Sequence, residues 1–125
     1  MKKLFLLCAV LSVVFAKIET VNVTPENIKN YEQIIDIRTP MEWYQTGTIK
    51  GAKLITFDPY DKEKFLKELG ENFDLKKPIA LICRSGNRSF NAARMIDSDN
   101  LNIINLNGGM GSLIRQGYEP TPYTK

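Results

Sequence analysis

The sequence predicts a three-layer α/β domain, in which a parallel sheet carries helices on both faces. Short apolar runs such as IIDI at 34–37 and PIALIC at 78–83 are typical of strands that are buried on both faces. Segments with helical spacing alternate with these runs along the chain. A chain of 125 residues is long enough for one such domain, and no linker interrupts the alternation.

Five segments, each rich in apolar or β-branched residues, are predicted as strands. In chain order they are KIETVNVT at 17–24, IIDI at 34–37, AKLITF at 52–57, PIALIC at 78–83 and LNIINL at 101–106. Ligands of parallel sheets bind beyond the carboxyl ends of the strands. Cys83, the last residue of PIALIC, is therefore placed where a site is expected.

The first two helices are predicted to be short. Thr24 can cap a helix in TPENIKNYE, with Pro25 at the first helical position, where a missing N–H is harmless. A second short helix is predicted over 40–44, after the strand IIDI has been ended by RTP.

The third helix is predicted to contain DKEKFLKELG. Asp58 and Pro59 supply an N-cap and a first-turn proline, and Gly70 is expected to end the helix. The apolar face is formed by Phe65, Leu66 and Leu69.

The last two helices are predicted in SFNAARMID at 89–97 and in MGSLIRQ at 110–116. In the first, Phe90 and Ala93 are expected to face the sheet, with Met95 and Ile96 as further candidates. The second follows the break at Gly108–Gly109 and is closed by Gly117.

Residues 1–16 are predicted to be a secretory signal peptide cleaved after Ala16, because Lys2 and Lys3 precede an apolar run of 13 residues. An uncleaved membrane anchor is the alternative, although 13 residues fall short of the roughly 20 that span a bilayer. A lipoprotein attached through Cys8 is the weakest interpretation, since LFLL precedes that cysteine. We therefore expect 17–125 to be one exported domain in the periplasm, without stable membrane insertion.

Composition excludes several kinds of site. The chain has no histidine, and after loss of the signal Cys83 is its one thiol. Ser-His-Asp and Cys-His catalysis, histidine metal sites and zinc–thiolate clusters are thereby excluded. A net charge of +3 provides no basic stripe for nucleic acid. We expect no metal, no cofactor and no nucleic-acid partner, and Cys83 to be an inert core residue, an intermolecular link or a reactive thiol.

The stretch CRSGNRS, which begins at Cys83, predicts an anion site. Gly86 permits the sharp turn from strand to helix, and the amides of 85–89 can then point inward at a helix N-terminus. Arg88 adds positive charge, and Arg84 is a further candidate for this role. These features favour the thiolate form of a cysteine at the base of the loop.

Three segments together resemble the single-domain rhodanese-like sulfurtransferase family. CRSGNRS matches the C-x-x-G-x-R-S loop of that family. IIDIRTPMEWYQTGTIKGA resembles its strand D-x-R segment and its G-H-I-x-G-A motif, with Thr48 in place of the usual histidine. INLNGGMGSLIRQGYEP resembles its terminal G-G helix and closing proline. The resemblance extends from about Ile18 to Pro122.

The resemblance implies a rhodanese-like fold and covalent sulfur transfer. Cys83 would attack the outer sulfur of a small anionic donor, such as thiosulfate, polysulfide or another persulfide, and become a persulfide. A thiol, cyanide or a protein acceptor would then remove that sulfur. The persulfide anion would be held by the backbone amides of Arg84, Ser85, Gly86, Asn87, Arg88 and Ser89.

The resemblance also implies roles for four charged side chains. Arg88 would brace the loop and add positive charge, and Arg84 would face the entrance and attract the donor. Asp36 and Arg38 lie at the neighbouring strand end, where they would form a salt bridge that supports the loop or else contact substrate. The histidine that Thr48 replaces is generally structural, so we expect activity to be retained.

Two other functions remain open at this stage. The protein could be a sulfur carrier in the periplasm that uses the same chemistry but delivers to one protein partner. It could also be a phosphatase or arsenate reductase of the same fold, although those enzymes place five residues between the cysteine and the arginine. Here four residues separate Cys83 from Arg88, which suits a sulfur atom better than an oxyanion.

Overall fold

A computed structural model describes residues 17–97 and 101–124 as one parallel sheet with helices on both faces, which confirms the predicted fold class. The strands are β1 (Lys17–Asn22), β2 (Ile34–Asp36), β3 (Lys53–Leu54), β4 (Ile79–Ile82) and β5 (Asn102–Asn107). The helices are α1 (Pro40–Thr46), α2 (Lys62–Asn72), α3 (Asn87–Met95) and α4 (Gly109–Arg115). The predicted signal peptide, 1–16, lies outside the described residues.

The strand order β1-β5-β4-β2-β3 places β4 at the centre of the sheet, paired with β5 on one side and β2 on the other. All four residues of β4 are buried, as its unbroken apolar sequence predicts. Successive side chains of a strand point to opposite faces. Leu81 and Cys83 accordingly pack on one face of the sheet, and Ala80 and Ile82 on the other.

Each face of the sheet has its own apolar core. The first core joins α2 and α3 to the face that carries Cys83, through Phe65, Leu69 and Ala92. The second core joins α4 to the opposite face, through Met110 and Leu113. Within 17–97 and 101–124, no helix is long and apolar enough to span a membrane.

The helix predicted in TPENIKNYE forms only as a single 3-10 turn, Asn27–Asn30, and is shorter than expected. The Thr24 hydroxyl accepts the Asn27 N–H at 2.9 Å, and the Asn27 side chain accepts the Thr24 N–H at 2.9 Å. This exchange closes a single turn. Tyr31 then takes up an extended conformation and the helix does not continue. Asparagine side chains that bond the nearby backbone favour such turns over helix.

The strand predicted in AKLITF is also shorter than expected, since regular pairing is confined to Lys53–Leu54. The Ile55 N–H still donates to the Asp36 carbonyl at 3.1 Å, and the Phe57 N–H to the Ile37 carbonyl at 3.1 Å. The two N–H donors are two residues apart in the chain, whereas the carbonyls that they meet belong to consecutive residues. This shift of register ends the regular pairing of β3 with β2, as in a β-bulge.

The ends of α2 differ from the prediction. Asp61, rather than Asp58, caps the helix by accepting the Lys64 N–H, and Asp58 instead accepts the Tyr60 N–H in a tight turn. Gly70 does not end the helix, which continues to Asn72. Phe73 packs against the first core and takes an extended conformation there, so tertiary contact decides where α2 stops.

The buried face of α3 also differs from the prediction. Ser89, Ala92, Ala93 and Ile96 are buried, which is the i, i+3, i+4, i+7 spacing of one helix face. Phe90 and Met95, predicted to face the sheet, are 39% and 37% exposed. The small residues allow α3 to lie close to the sheet, and the large ones remain at the surface.

Leu66 and Leu69 were both predicted on the apolar face of α2, and the structure separates them. Leu69 is 1% exposed, whereas Leu66 is only partly buried against the first core. We expect Leu69→Ala to lower the free energy of unfolding by about 3 kcal/mol, because it leaves a cavity. Leu66→Ala should cost clearly less. Urea denaturation of both variants measures the difference, and equal losses would contradict this packing.

Candidate functional site

The cysteine loop, 83–86, follows β4 and places Cys83 at the N-terminus of α3. Cys83 is fully buried, and Gly86 caps α3 with a left-handed backbone, φ 104°. A Cβ on Gly86 would lie 2.9 Å from both the Asn107 Oδ1 and the Gly108 N. Glycine is therefore required here for conformation and for space.

The sulfur atom of Cys83 accepts hydrogen bonds from the backbone. The Gly86 N–H donates to Sγ at 3.1 Å, and the Ser89 N–H donates to it at 3.4 Å. The Ser89 hydroxyl lies 3.4 Å from Sγ. The predicted inward-facing amides are thus present at these two residues, and they surround the sulfur with donors at a helix N-terminus.

Asn105 is a site residue that sequence reasoning missed. It is buried in β5, and its Oδ1 accepts the Ser89 hydroxyl at 2.5 Å. A buried amide needs a hydrogen-bond partner, and this one orients the hydroxyl beside Sγ. Its only sequence signal was a polar residue inside the apolar run LNIINL.

The outer side of the loop is bonded to the start of α4. The Met110 N–H donates to the Cys83 carbonyl at 2.8 Å, the Gly111 N–H to the Arg84 carbonyl at 2.9 Å, and the Gly108 N–H to the Ser85 carbonyl at 3.2 Å. In a planar trans peptide the N–H points away from the C=O. Holding these carbonyls against α4 therefore turns the following amides of the loop to the other side, where Gly86 meets Sγ.

Gly109 is the point of closest approach between the two segments. Its φ is 61°, and a Cβ there would lie 2.5 Å from the carbonyl oxygens of Cys83 and Arg84. These carbonyls belong to the backbone and accept hydrogen bonds from Met110 and Gly111, so they have little freedom to move aside. The break Gly108–Gly109, predicted only as a helix boundary, is also the contact surface for the cysteine loop.

Arg88 is bonded to α1 through Glu42, a second residue that the sequence analysis missed. Its Nη1 and Nη2 donate to Glu42 Oε1 at 2.8 Å and Oε2 at 2.6 Å. The hydrogen bonds from Arg88 lower the pKa of the Glu42 carboxyl from 4.5 to about 2, against the opposing effect of partial burial. The same hydrogen bonds raise the pKa of Arg88.

Glu42 carried a different signal in the sequence. It is the third residue of α1 and completes a capping box with Thr39. A residue with this local role gives no sign in the sequence that it also pairs with Arg88. The ion pair attaches Arg88 to α1, and its partner there could not be identified from spacing.

Asp36 and Arg38 form a buried ion pair, with Asp36 Oδ2 2.9 Å from Arg38 Nη2. The remaining Arg38 donors reach the end of α1, at the Thr46 hydroxyl (2.7 Å) and the Gly47 carbonyl (2.7 Å). The pair therefore fastens β2 to α1, the helix that carries Glu42. Its contact with the cysteine loop is indirect.

The remaining predicted residues of the loop lie at the surface. Arg84, Ser85 and Asn87 are exposed, and Asn87 is the first residue of α3. Arg84 lines a cavity of about 230 Å³ together with Glu42 and Arg115.

A larger cleft, of about 600 Å³, lies between α3 and the segment after β3. Its walls are lined by Ile37, Phe57, Pro59, Arg88, Asn91, Ala92, Arg94 and Met95. This cleft is on the sheet face that carries Cys83, since Ile37 and Ala92 belong to the same apolar core as the cysteine.

Thr48 stands where the resemblance expects histidine, and it is buried against the chain end. Its N–H donates to the Thr121 carbonyl at 2.9 Å, and the Thr121 N–H donates back at 2.8 Å. Both of these hydrogen bonds are made by the backbone of Thr48. Tyr123 then packs edge-on against Trp43 and Tyr44.

Comparison with known proteins agrees with this geometry. A family model described as the rhodanese-like domain matches residues 20–115. A rhodanese-like domain protein from Staphylococcus aureus is 24% identical with a TM-score of 0.63, covering 86% of this chain and 99% of that one. A rhodanese-related protein from Thermoplasma volcanium is 32% identical with a TM-score of 0.60, covering 78% and 93%. No curated protein matches the chain.

The approach of Gly109 to the cysteine loop can be tested against Gly117, which has a φ of 99° but no atom within 4 Å of the position that a Cβ would occupy. Gly117→Ala should lower the free energy of unfolding by about 1–2 kcal/mol, through backbone strain alone. Gly109→Ala should lower it by about 3 kcal/mol or more and change the alkylation rate of Cys83, because the loop must shift. Similar behaviour of the two variants would refute the contact.

The Glu42–Arg88 pair should contribute to stability in a pH-dependent way. Because the folded-state pKa of Glu42 is lowered, the contribution is complete above pH 4.5 and is lost as the pH falls towards about 2. With Arg88 about half exposed, we expect Glu42→Gln to cost about 1 kcal/mol at pH 7. Urea denaturation from pH 7 to pH 2 should show wild type and variant converging at the acid end. Glu32→Gln, which breaks the exposed pair with Lys77, is the control, with little effect at any pH.

Proposed function

Because the chain belongs to the rhodanese-like domain family, we propose that it is a sulfurtransferase that carries sulfane sulfur on Cys83. The observation that supports this most strongly is the pair of backbone amides bonded to Sγ at the start of α3. Such donors stabilise a thiolate without a general base. Because the chain has no histidine to act as that base, a site of this kind is needed.

The first half-reaction needs no oxidant or reductant. The Cys83 thiolate attacks the outer sulfur of a donor such as thiosulfate, and a new S–S bond forms. The S–S bond of thiosulfate breaks, and sulfite leaves with the electron pair. With polysulfide, the shortened polysulfide leaves instead. The product in either case is a Cys83 persulfide, whose outer sulfur carries the negative charge.

The loop would stabilise that charge through fixed dipoles. The amides that already face Sγ, and those turned to the same side by the α4 contacts, would hold the outer sulfur as they hold the thiolate. Since α4 and the Glu42–Arg88 pair hold the loop before the donor arrives, little reorganisation is needed. Arg84 is an exposed residue of the loop and would attract an anionic donor.

In the second half-reaction an acceptor thiolate or cyanide attacks the outer sulfur. The bond between the two sulfur atoms of the persulfide breaks, and its electron pair returns to Cys83 as the thiolate. If the acceptor is one protein partner, the same chemistry describes a sulfur carrier. The short interval of four residues between Cys83 and Arg88 favours either function over phosphatase or arsenate reductase activity.

We also propose that the domain acts in the periplasm. The charged start and apolar run of 1–16 support export, and cleavage after Ala16 would leave Cys83 as the one thiol.

Intact mass after exposure to thiosulfate, or separately to polysulfide, tests the proposed function. We expect wild-type protein to gain the mass of one sulfur atom and to lose it to cyanide as thiocyanate. Cys83→Ser should gain nothing. Absence of added sulfur from both donors would refute the mechanism.

The same experiment separates the enzyme from the carrier. Continuous turnover with cyanide or small thiols supports a sulfurtransferase. A persulfide that small thiols leave intact supports a carrier that delivers to a protein. The mass of protein recovered from the export compartment also reports whether the chain begins at Lys17.

A further inference from the structure

The residues that follow α4, 118–124, form a tail that returns to the segment after α1. A single antiparallel bridge joins Thr121 of the tail to Thr48, and their backbones donate to each other at 2.9 and 2.8 Å. The phenol oxygen of Tyr118 accepts the Lys50 N–H at 3.3 Å. The tail is therefore attached at two points to the chain that leaves α1.

Gly47, the residue that caps the end of α1, is in direct contact with the tail. Its φ is 78°, and a Cβ there would lie 2.8 Å from both the Pro120 Cβ and the Thr121 carbonyl oxygen. The Gly47 carbonyl accepts a hydrogen bond from Arg38 Nη2 at 2.7 Å. The end of α1 is thus fixed both by the buried arginine and by the tail.

Tyr123 extends the contact to the helix itself. Its ring packs edge-on against Trp43, with 5.4 Å between ring centroids, and against Tyr44, with 4.7 Å. Trp43 is 5% exposed but belongs to neither of the two apolar cores. Its Nε1–H finds no acceptor within the described part of the chain. Packing therefore fixes the position of this side chain, and Tyr123 supplies part of that packing.

The helix that Tyr123 contacts also carries the partner of Arg88. Glu42 immediately precedes Trp43 in α1, and both of its carboxylate oxygens accept hydrogen bonds from Arg88. These bonds raise the pKa of Arg88 most, and the negative charge of a Cys83 thiolate adds to the increase. A displacement of α1 would consequently reach the cysteine through two side chains, Glu42 and Arg88.

We propose that the tail is a positioning element for the cysteine loop, and that Tyr123 keeps α1 where Glu42 can hold Arg88. Tyr123 acts through α1, so it is a positioning residue and not a catalytic one. Without its ring, Trp43 loses part of its packing, and the Glu42 carboxylate is no longer held in one place. The loop then loses part of the preorganisation that sulfur transfer requires. The kinetic consequence rests on the sulfurtransferase function proposed above, whereas the contacts can be tested without it.

The first test follows the titration of the Glu42 carboxyl by NMR, with isotope-labelled glutamate and with Glu42→Gln to identify the signal. In wild type, hydrogen bonds from Arg88 lower the pKa of Glu42 from 4.5 to about 2. Tyr123→Ala should raise the midpoint by roughly one pH unit or more, because those hydrogen bonds weaken. Tyr123→Phe retains the ring and should titrate as wild type. Tyr123→Leu is a milder variant and should shift the midpoint in the same direction by less.

Two controls separate positioning from a general loss of stability. Tyr60→Ala removes the same ring from a residue that is 97% exposed. Leu66→Ala weakens the first core through α2, away from the tail. Neither change should move the midpoint of Glu42. A shift in either control as large as that in Tyr123→Ala would overturn the proposal.

The second test measures how fast thiosulfate adds sulfur to Cys83, by intact mass. Tyr123→Ala and Glu42→Gln should each slow loading by about fivefold, the effect of losing one partly exposed ion pair. The double variant should be no slower than Glu42→Gln alone, because both substitutions affect the same connection. Losses that multiply in the double variant would show that Tyr123 acts independently of Glu42 and would contradict the proposal.

Failure of this inference is distinguishable from failure of the proposed function. Wild-type protein that never gains sulfur would overturn the sulfurtransferase function, and the Glu42 titration would still decide whether Tyr123 positions α1. Normal loading together with an unchanged Glu42 titration in Tyr123→Ala would overturn this inference alone.

Discussion

The site depends on the peptide groups between Cys83 and Gly86, which are bonded on both sides. On one side Gly108 and the first turn of α4 donate N–H groups to three successive carbonyls of the loop, and on the other the Gly86 N–H donates to Sγ. A buried peptide group left unpaired costs about 1–3 kcal/mol. Satisfying the carbonyls through α4 leaves the amides directed towards the sulfur, so the polarity of the site follows from backbone orientation more than from charged side chains.

Several features of the molecule follow from that requirement. Gly86 and Gly109 are both in left-handed conformations, and a side chain on either would collide with the facing segment. The side-chain ion pairs fasten the loop from another direction. Asp36 and Arg38 hold α1 to the sheet, and α1 presents Glu42 to Arg88. The loop is thus held by β4, α1 and α4, which is the rigidity expected where a charge must be stabilised without reorganisation.

The central strand determines which of the two apolar cores contains Cys83. Alternation along β4 directs Cys83 into the core shared with α2 and α3, and the cleft opens on that same side. The cavity lined by Arg84 lies next to α1 and α4. Small residues form the buried face of α3, and Arg94 and Met95 line the cleft, so the packing of one helix also shapes that surface.

The sequence by itself determined the alternation of strands and helices, the position of Cys83 at a strand end and the need for glycine at position 86. These features are local, and each is expressed within a few consecutive residues. Only the tertiary structure decided that Glu42 pairs with Arg88, 46 positions away, that Asn105 orients Ser89, and that Gly109 lies against the loop. It also decided where α2 ends and which residues of α3 are buried. Contacts between distant segments leave no periodic signal, because they depend on which surfaces the folded sheet brings together.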